Sequence, residues 1–428
     1  MSISRYALQA ASGNGGESYW LSLYGTTGDE RAYGSITDAS GNIYVVGSSN
    51  PSANTETLFL KLDASGSIIW SVTLDGASLD VLSAITFDPS GDIIVCGLTN
   101  DGFNKTLVAK YDTDGDVLWQ VKLGAGSVNN AFAGLCVDSS GDIYCGINNN
   151  SITAYDTFIQ KLSGTDGSSV WGRRYVDTNV QGKGLYCDSS DNIWFTLGQS
   201  VTSSGKAVIV KFNTSGTILF QKAFQTGSTT YRAQGLTTDS SGNIYVATSG
   251  GTALVFIKYN SSGTVQWKKY IAGTAVFTTL SAVLNSAEDT VYFSFYYNTS
   301  PVDMYIVALN ASTGAELWQN KIGGSSNTYN FYNSLHITDK DALILTCFTA
   351  SDGAGGNDML ILKAPSDGTG TGTYGSISYA TSSLSITTTS GTDTTPTATT
   401  SSVAYTPSTT TLTEGTFSGT QELFEITP

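Results

Sequence analysis

Apolar positions come in short bursts along this chain, not at helical spacing. "IYVVG" from Ile43, "LFLKL" from Leu58 and "IIVCG" from Ile93 are rich in β-branched and aromatic residues. Asp, Ser, Asn and Gly bound them. Bursts of this length between turn residues predict strands. No segment carries the three-to-four-residue periodicity of an amphipathic helix, so the expected class is all-β.

The bursts recur in register. "DASGNIYV" starts at Asp38, and variants start at Asp88, Asp138, Asp188 and Asp239, which are 50, 50, 50 and 51 residues apart. Two degenerate copies follow, "NSAEDTVYF" from Asn285 and "DKDALILT" from Asp339. A second phrase, of the type "KLDASGSIIW", ends on an aromatic residue at Trp70, Trp119, Trp171, Phe220, Trp267 and Trp318. Trp20, in "SYWLSLYG", lies 50 before Trp70 and extends that ladder to seven. A fixed period near 50 marks a propeller or solenoid.

Each phrase reads as a hairpin: Asp accepts nearby backbone amides, and Gly takes the left-handed conformation. Two hairpins give four strands per repeat. One such sheet cannot bury both faces, but seven packed radially can, and closure protects the edges. The ladder aromatics would then sit between blades. The last repeat lacks a Trp strand, so the N-terminal strand at 18–24 is expected to close the ring, with 374–380 as the rival. The expected organisation is an N-terminal extension (1–17), a seven-bladed β-propeller (18–379) and a C-terminal tail (380–428). The tail is Thr/Ser-rich, β or extended, and is read as an assembly or attachment segment.

Composition narrows the chemistry. Net charge is −15 with only 13% charged residues, which argues against nucleic-acid binding. No run is long and apolar enough for a membrane helix. "MSISRYALQ" lacks the apolar core of a secretory signal. The five cysteines have no CxxC spacing, so buried unpaired thiols are expected. His336 is the only histidine and reads as structural. The carboxylates of "DTDGD", Asp112 to Asp116, lack the later Glu of a calcium loop, so no metal is expected. Lys61, Lys110, Lys161, Lys211, Lys258 and Lys363 recur so regularly that they read as architecture, each ammonium meeting a turn carboxylate or carbonyl. Residues that break the repeat are better candidates. Tyr33, Phe132, Tyr155, Tyr231, Phe277, Tyr296, Tyr297, Tyr329 and Tyr332 lie in or beside variable loops and suit glycan or protein recognition.

"D-x-S-G-N-I-Y-V-x-G" followed by "F-x-x-K-L-D-x-x-G" resembles the SBBP-type β-propeller repeat family, over Trp20 to about Lys363. "ALNASTGAELW", Ala308 to Trp318, resembles the tryptophan-docking motif of quinoprotein-like propellers. The quinoprotein dehydrogenases would imply a quinone, calcium, eight blades and adjacent cysteines. This chain has seven repeats and no Cys-Cys pair. Taken whole, it is similar to propeller-bearing structural proteins of tailed bacteriophages. That resemblance implies a virion component, not an enzyme and without a cofactor, displaying the propeller to a host-surface glycan or protein. The tail would join other virion proteins or sister subunits in a homo-oligomer. The alternative is a secreted or cell-surface bacterial propeller that binds polysaccharide or protein.

Overall fold

The repeated Asp is a hub. Asp38 Oδ1 accepts the backbone amides of Ser40 (2.9 Å) and Asn42 (2.8 Å), while Oδ2 accepts Asn42 Nδ2 (2.8 Å) and the Tyr44 hydroxyl (3.3 Å). Asp138 and Asp239 repeat the pattern with Tyr144 and Tyr245, and Asp188 with the Trp194 indole. One carboxylate thus shapes the turn and fixes the first residues of the next strand, which is why the phrase repeats whole.

In this computed structural model the chain is all β and forms seven sheets around one axis. It describes residues 2–7 and, between 18 and 416, all except 51–54, 76–79, 101, 125–129, 152–153, 177–179, 200–204, 226–231, 251, 274–276, 299, 330–334, 353–355, 389–391, 395–398, 404–407 and 410–412. Blades 1 to 6 begin at the axis with Asp29–Thr37, Asp80–Phe87, Asn130–Val137, Val180–Cys187, Arg232–Thr238 and Phe277–Leu284. Each continues outward through three more antiparallel strands. Blade 7 has a divided inner strand, Thr328–Tyr329 and Leu335–Ile337, then Ala342–Thr349 and Asp358–Pro365. Its fourth strand is Trp20–Gly25, in register from Trp20 with Lys363 to Tyr24 with Met359. The N-terminal strand therefore closes the ring. The rival segment lies elsewhere: Ile377–Thr381 pairs with the outer strand of blade 6.

The rest of the tail continues that placement. Ile386–Thr388, Thr392–Thr394, Thr399–Val403, Ser408–Thr409 and Thr413–Thr416 pair with the outer strands of blades 5, 4, 3, 2 and 1 in turn. Ser2–Ala7 does the same for blade 7. Every blade thus gains a fifth strand from one of the chain's own termini, covering edges that would otherwise present unpaired backbone groups.

Each ladder aromatic meets the next blade's outer turn at its glycine. The pairs are Trp20 with Gly66, Trp70 with Gly115, Trp119 with Gly167, Trp171 with Gly216, Phe220 with Gly263, Trp267 with Gly314 and Trp318 with Gly368. Six indoles also donate to a carbonyl there, at 3.0–3.3 Å. Of the ladder aromatics only Trp20, at 1% exposed, is fully buried, and Trp267 keeps 8%. Ile69, Leu118, Val170, Leu219 and Leu317 are exposed because each is the extra residue of a bulge just before the aromatic.

Three blade junctions carry a latch. Asp191, Glu288 and Asp341 have positive φ (59°, 54° and 58°) where other repeats place glycine. Their carboxylates each accept an amide and a hydroxyl from the preceding blade, from Ser139, Ser240 and Ser286 respectively, at 2.5–2.9 Å. The degenerate repeats are thus specialised joints. Asp191→Ala keeps the strained φ and removes both bonds, with an expected loss of about 1–2 kcal/mol. Asp191→Gly removes the bonds but relaxes the backbone, so it should lose less than half as much. Equilibrium denaturation of both variants checks this; equal losses would show that the positive φ stores no strain.

The cysteines correct one expectation. Cys136 and Cys187 form a disulfide between the inner strands of blades 3 and 4, with Cα atoms 5.6 Å apart. Cys96, Cys145 and Cys347 are free and buried. Among the described residues no helix is long and apolar enough to cross a membrane.

Candidate functional site

The seven inner strands enclose an axial cavity of about 530 Å³. The inner strands of blades 1 to 6 slip register at the same level, and in the first four the inserted residues are Tyr33, Ser83, Ala133 and Lys183. A bulge re-aims the side chain it inserts. At this level of the first four blades, only blade 4 carries a charge, and Lys183 lines the cavity.

The backbone on both sides of Lys183 is clamped. The Gly182 amide donates to Asn148 Oδ1 and to Thr157 Oγ1, both at 2.7 Å, and its carbonyl accepts Asn148 Nδ2 at 3.0 Å. Thr157 donates in turn to Asn148 Oδ1. The Gly184 carbonyl accepts Thr196 Oγ1 at 3.2 Å. Gly182 is required by close approach, since a Cβ there would lie 2.4 Å from the Phe195 ring, and a Cβ at 184 would make a tight 3.1 Å contact with the Gln234 carbonyl. The stretch Gly-Lys-Gly is therefore a fixed pedestal for one cation.

Lys183 is half-buried, and its Nζ donates to Gln181 Oε1 at 3.2 Å. Among the described residues no carboxylate lies within ion-pair distance of it. Burial, and then the positive charge of Arg232, hold its ammonium down at about 8 from the usual 10.5. The ladder lysines differ. Lys110, Lys161 and Lys211 meet turn carboxylates, and Lys61 and Lys258 donate to the carbonyls of Thr113 and Ala311. Those five are architecture.

Hydroxyls, amides, aromatic rings and Glu288, whose carboxylate is bonded to Ser240, make up much of the remaining wall. Ser83 belongs to the cavity lining, but its hydroxyl is itself buried and has no hydrogen-bond partner among the described residues. Phe132, Tyr186 and Trp194 line it as well. His336 bridges blades 7 and 1, with Nδ1 3.0 Å from Ser35 Oγ and Nε2 2.7 Å from Thr37 Oγ1. A neutral imidazole serves both, donating at one nitrogen and accepting at the other. Burial pushes its pKa down to about 3, so it is neutral at physiological pH. Among the described residues no group of three His, Cys, Asp or Glu is placed to hold a metal, and Asp112 uses its carboxylate on the amides of Asp114 and Asp116.

The aromatic candidates scatter. Phe132 reaches the cavity. Tyr33 is buried edge-on against Phe348, with centroids 6.2 Å apart. Tyr296 and Tyr297 are half-buried on blade 6, the latter against Tyr305. Tyr155, Phe277 and Tyr329 lie on described strands, but their side chains fall outside the described residues, as do Tyr231 and Tyr332 altogether. Lys183 was missed in the sequence, although a signal exists. Positions 33, 83, 133 and 183 are 50 apart, and only the last is charged.

Residues 150–342 match the family model described as outer membrane protein assembly factor BamB, which is less than half of the chain. The chain is a repeat-built β-propeller. No curated protein matches it. An ulvan lyase of a polysaccharide lyase family aligns at 12% identity and a TM-score of 0.51, covering 80% of this chain and 96% of its own. The Sqt1 protein of Chaetomium thermophilum aligns at 10% identity and a TM-score of 0.47, covering 80% and 97%. The periplasmic gluconolactonase PpgL of Pseudomonas aeruginosa aligns at 10% and 0.48, covering 85% and 100%. Identities this low show shared fold alone. They still correct the expectation that the propeller is not an enzyme, because this fold carries a polysaccharide lyase. None of these matches points to a bacteriophage particle.

Proposed function

We propose that the propeller is directed at carbohydrate and that its axial channel takes the anionic group of an acidic saccharide, with Lys183 as counter-ion. One observation carries this: a half-buried lysine inside a cavity, without a carboxylate partner among the described residues, in a chain of net charge −15. A cation taken from water is costly unless paired, and a bound carboxylate or sulfate would pair it. Phe132 and Tyr186 supply apolar ring surface that suits a sugar, in a cavity of ordinary ligand size.

Titration calorimetry with oligogalacturonate tests the proposal, with a neutral maltooligosaccharide as control. Binding of the acidic chain alone is expected. Lys183→Gln should weaken it about 10- to 100-fold, the worth of a charged hydrogen bond. Affinity should fall as pH rises through about 8, because Lys183 is charged below that value and neutral above it. Equal binding by wild type and Lys183→Gln, or binding of neither saccharide, overturns the proposal.

A further inference from the structure

Lys183 has the surroundings of a reactive amine as well as those of a counter-ion. Its nitrogen faces a cavity and contacts a carboxamide oxygen, a partner that serves a neutral amine as well as an ammonium. Its backbone is immobilised by Asn148, Thr157 and Thr196. Arg232, an exposed second cation, adds a repulsion that disfavours its charge. Amines become nucleophiles when they are desolvated beside another cation.

We propose that Lys183 forms an imine with a carbonyl compound that also carries a carboxylate, the open-chain end of an acidic saccharide being one. This rests on the reading of the channel as the ligand site and adds a covalent step to it. The Nζ lone pair attacks the carbonyl carbon and a C–N bond forms. The carbonyl oxygen takes up two protons and leaves as water, and a C=N bond remains. The positive charge of Arg232, which bears on Lys183, would favour a carboxylate on the same compound. The depressed pKa supports the step, since near neutral pH it leaves about a hundredfold more free amine than an ordinary lysine has.

Reductive trapping tests this on the full chain. Glyoxylate is the probe, an aldehyde bearing a carboxylate, with cyanoborohydride to deliver hydride to the imine carbon. After a brief reaction at pH 7, peptide mapping by mass spectrometry should find at least about tenfold more label on Lys183 than on any other lysine. Lys183→Arg should lose that label, with its thermal midpoint read alongside to show that it folds. Acetaldehyde, which lacks the carboxylate, should label Lys183 less. Label spread evenly over the lysines, or label at the wild-type level in Lys183→Arg, overturns the inference. Saccharide binding is measured separately without reductant. Binding that depends on Lys183 without selective trapping sinks the imine and leaves the channel reading standing. Absence of both removes the two together.

Discussion

Replacing Trp20 with alanine should cost about 3–5 kcal/mol, a large part of the stability of an ordinary domain. Trp20 is the joint between the first strand of the chain and the last blade. It is only 1% exposed, donates its indole N–H to the Ala64 carbonyl at 3.1 Å, and lies against Gly66 of blade 1. Its strand pairs with Asp358–Pro365 through five residues and is held further by the Tyr24 hydroxyl on the Gly66 carbonyl at 2.6 Å. Truncating the ring removes apolar area, leaves a cavity at the seam and orphans a carbonyl. Two controls separate these contributions. Trp20→Phe keeps the ring body and should cost only about 1 kcal/mol for the lost hydrogen bond. Trp70→Ala occupies the same place on the ladder but is only half-buried, so its cost should be smaller. Urea denaturation of the three variants checks the order. If Trp20→Ala costs no more than Trp70→Ala, the seam is not closed through the N-terminal strand.

Acidification should destabilise the protein through His336, by about 1–3 kcal/mol between pH 6.5 and 3. The group is a base whose folded pKa lies below its unfolded value. At pH 7 both states are neutral and nothing is lost. As pH falls below 6.5 the unfolded chain takes up the proton first, so stability drops until the folded imidazole also titrates near 3. The full shift would correspond to more, but His336 keeps some exposure to the channel, and the Ser35 and Thr37 hydroxyls can turn their lone pairs towards an imidazolium. The chain has 1 histidine, so no other imidazole contributes. Carboxylates contribute a common background, which a variant cancels. His336→Asn should be less stable than wild type at pH 7 and close to it at pH 4. A gap that stays constant between those values would show that the His336 proton is not linked to folding.

The functional site was the least legible part of the sequence. The loop aromatics looked promising because they break the repeat, yet Phe132 is the only one that the described residues bring to the channel. Tyr33 is drawn into blade packing by Phe348. The residue that matters most to the proposed site, Lys183, also breaks the repeat, but inside a strand instead of a loop. Whether a strand residue faces a sheet neighbour or the axis depends on the bulge at Gly182 and Gly184, and a bulge leaves no mark on the apolar pattern.

The sequence by itself determined the period, the seven blades, the hairpin at each Asp, the aromatic ladder and the closing strand. All of these follow from local turn chemistry and from apolar residues that must be buried in register, and both are written in every repeat. Only the tertiary structure decided the rest. Cys136 and Cys187 are 51 residues apart and meet because neighbouring inner strands bring their Cα atoms to 5.6 Å. Asp191, Glu288 and Asp341 look like decayed glycine positions until the preceding blade's serine is in place. The Thr/Ser-rich tail has too few apolar residues to declare a partner. Its strands are held by backbone hydrogen bonds to the blade edges, which almost any side chains permit, so only the assembled propeller could show where they lie.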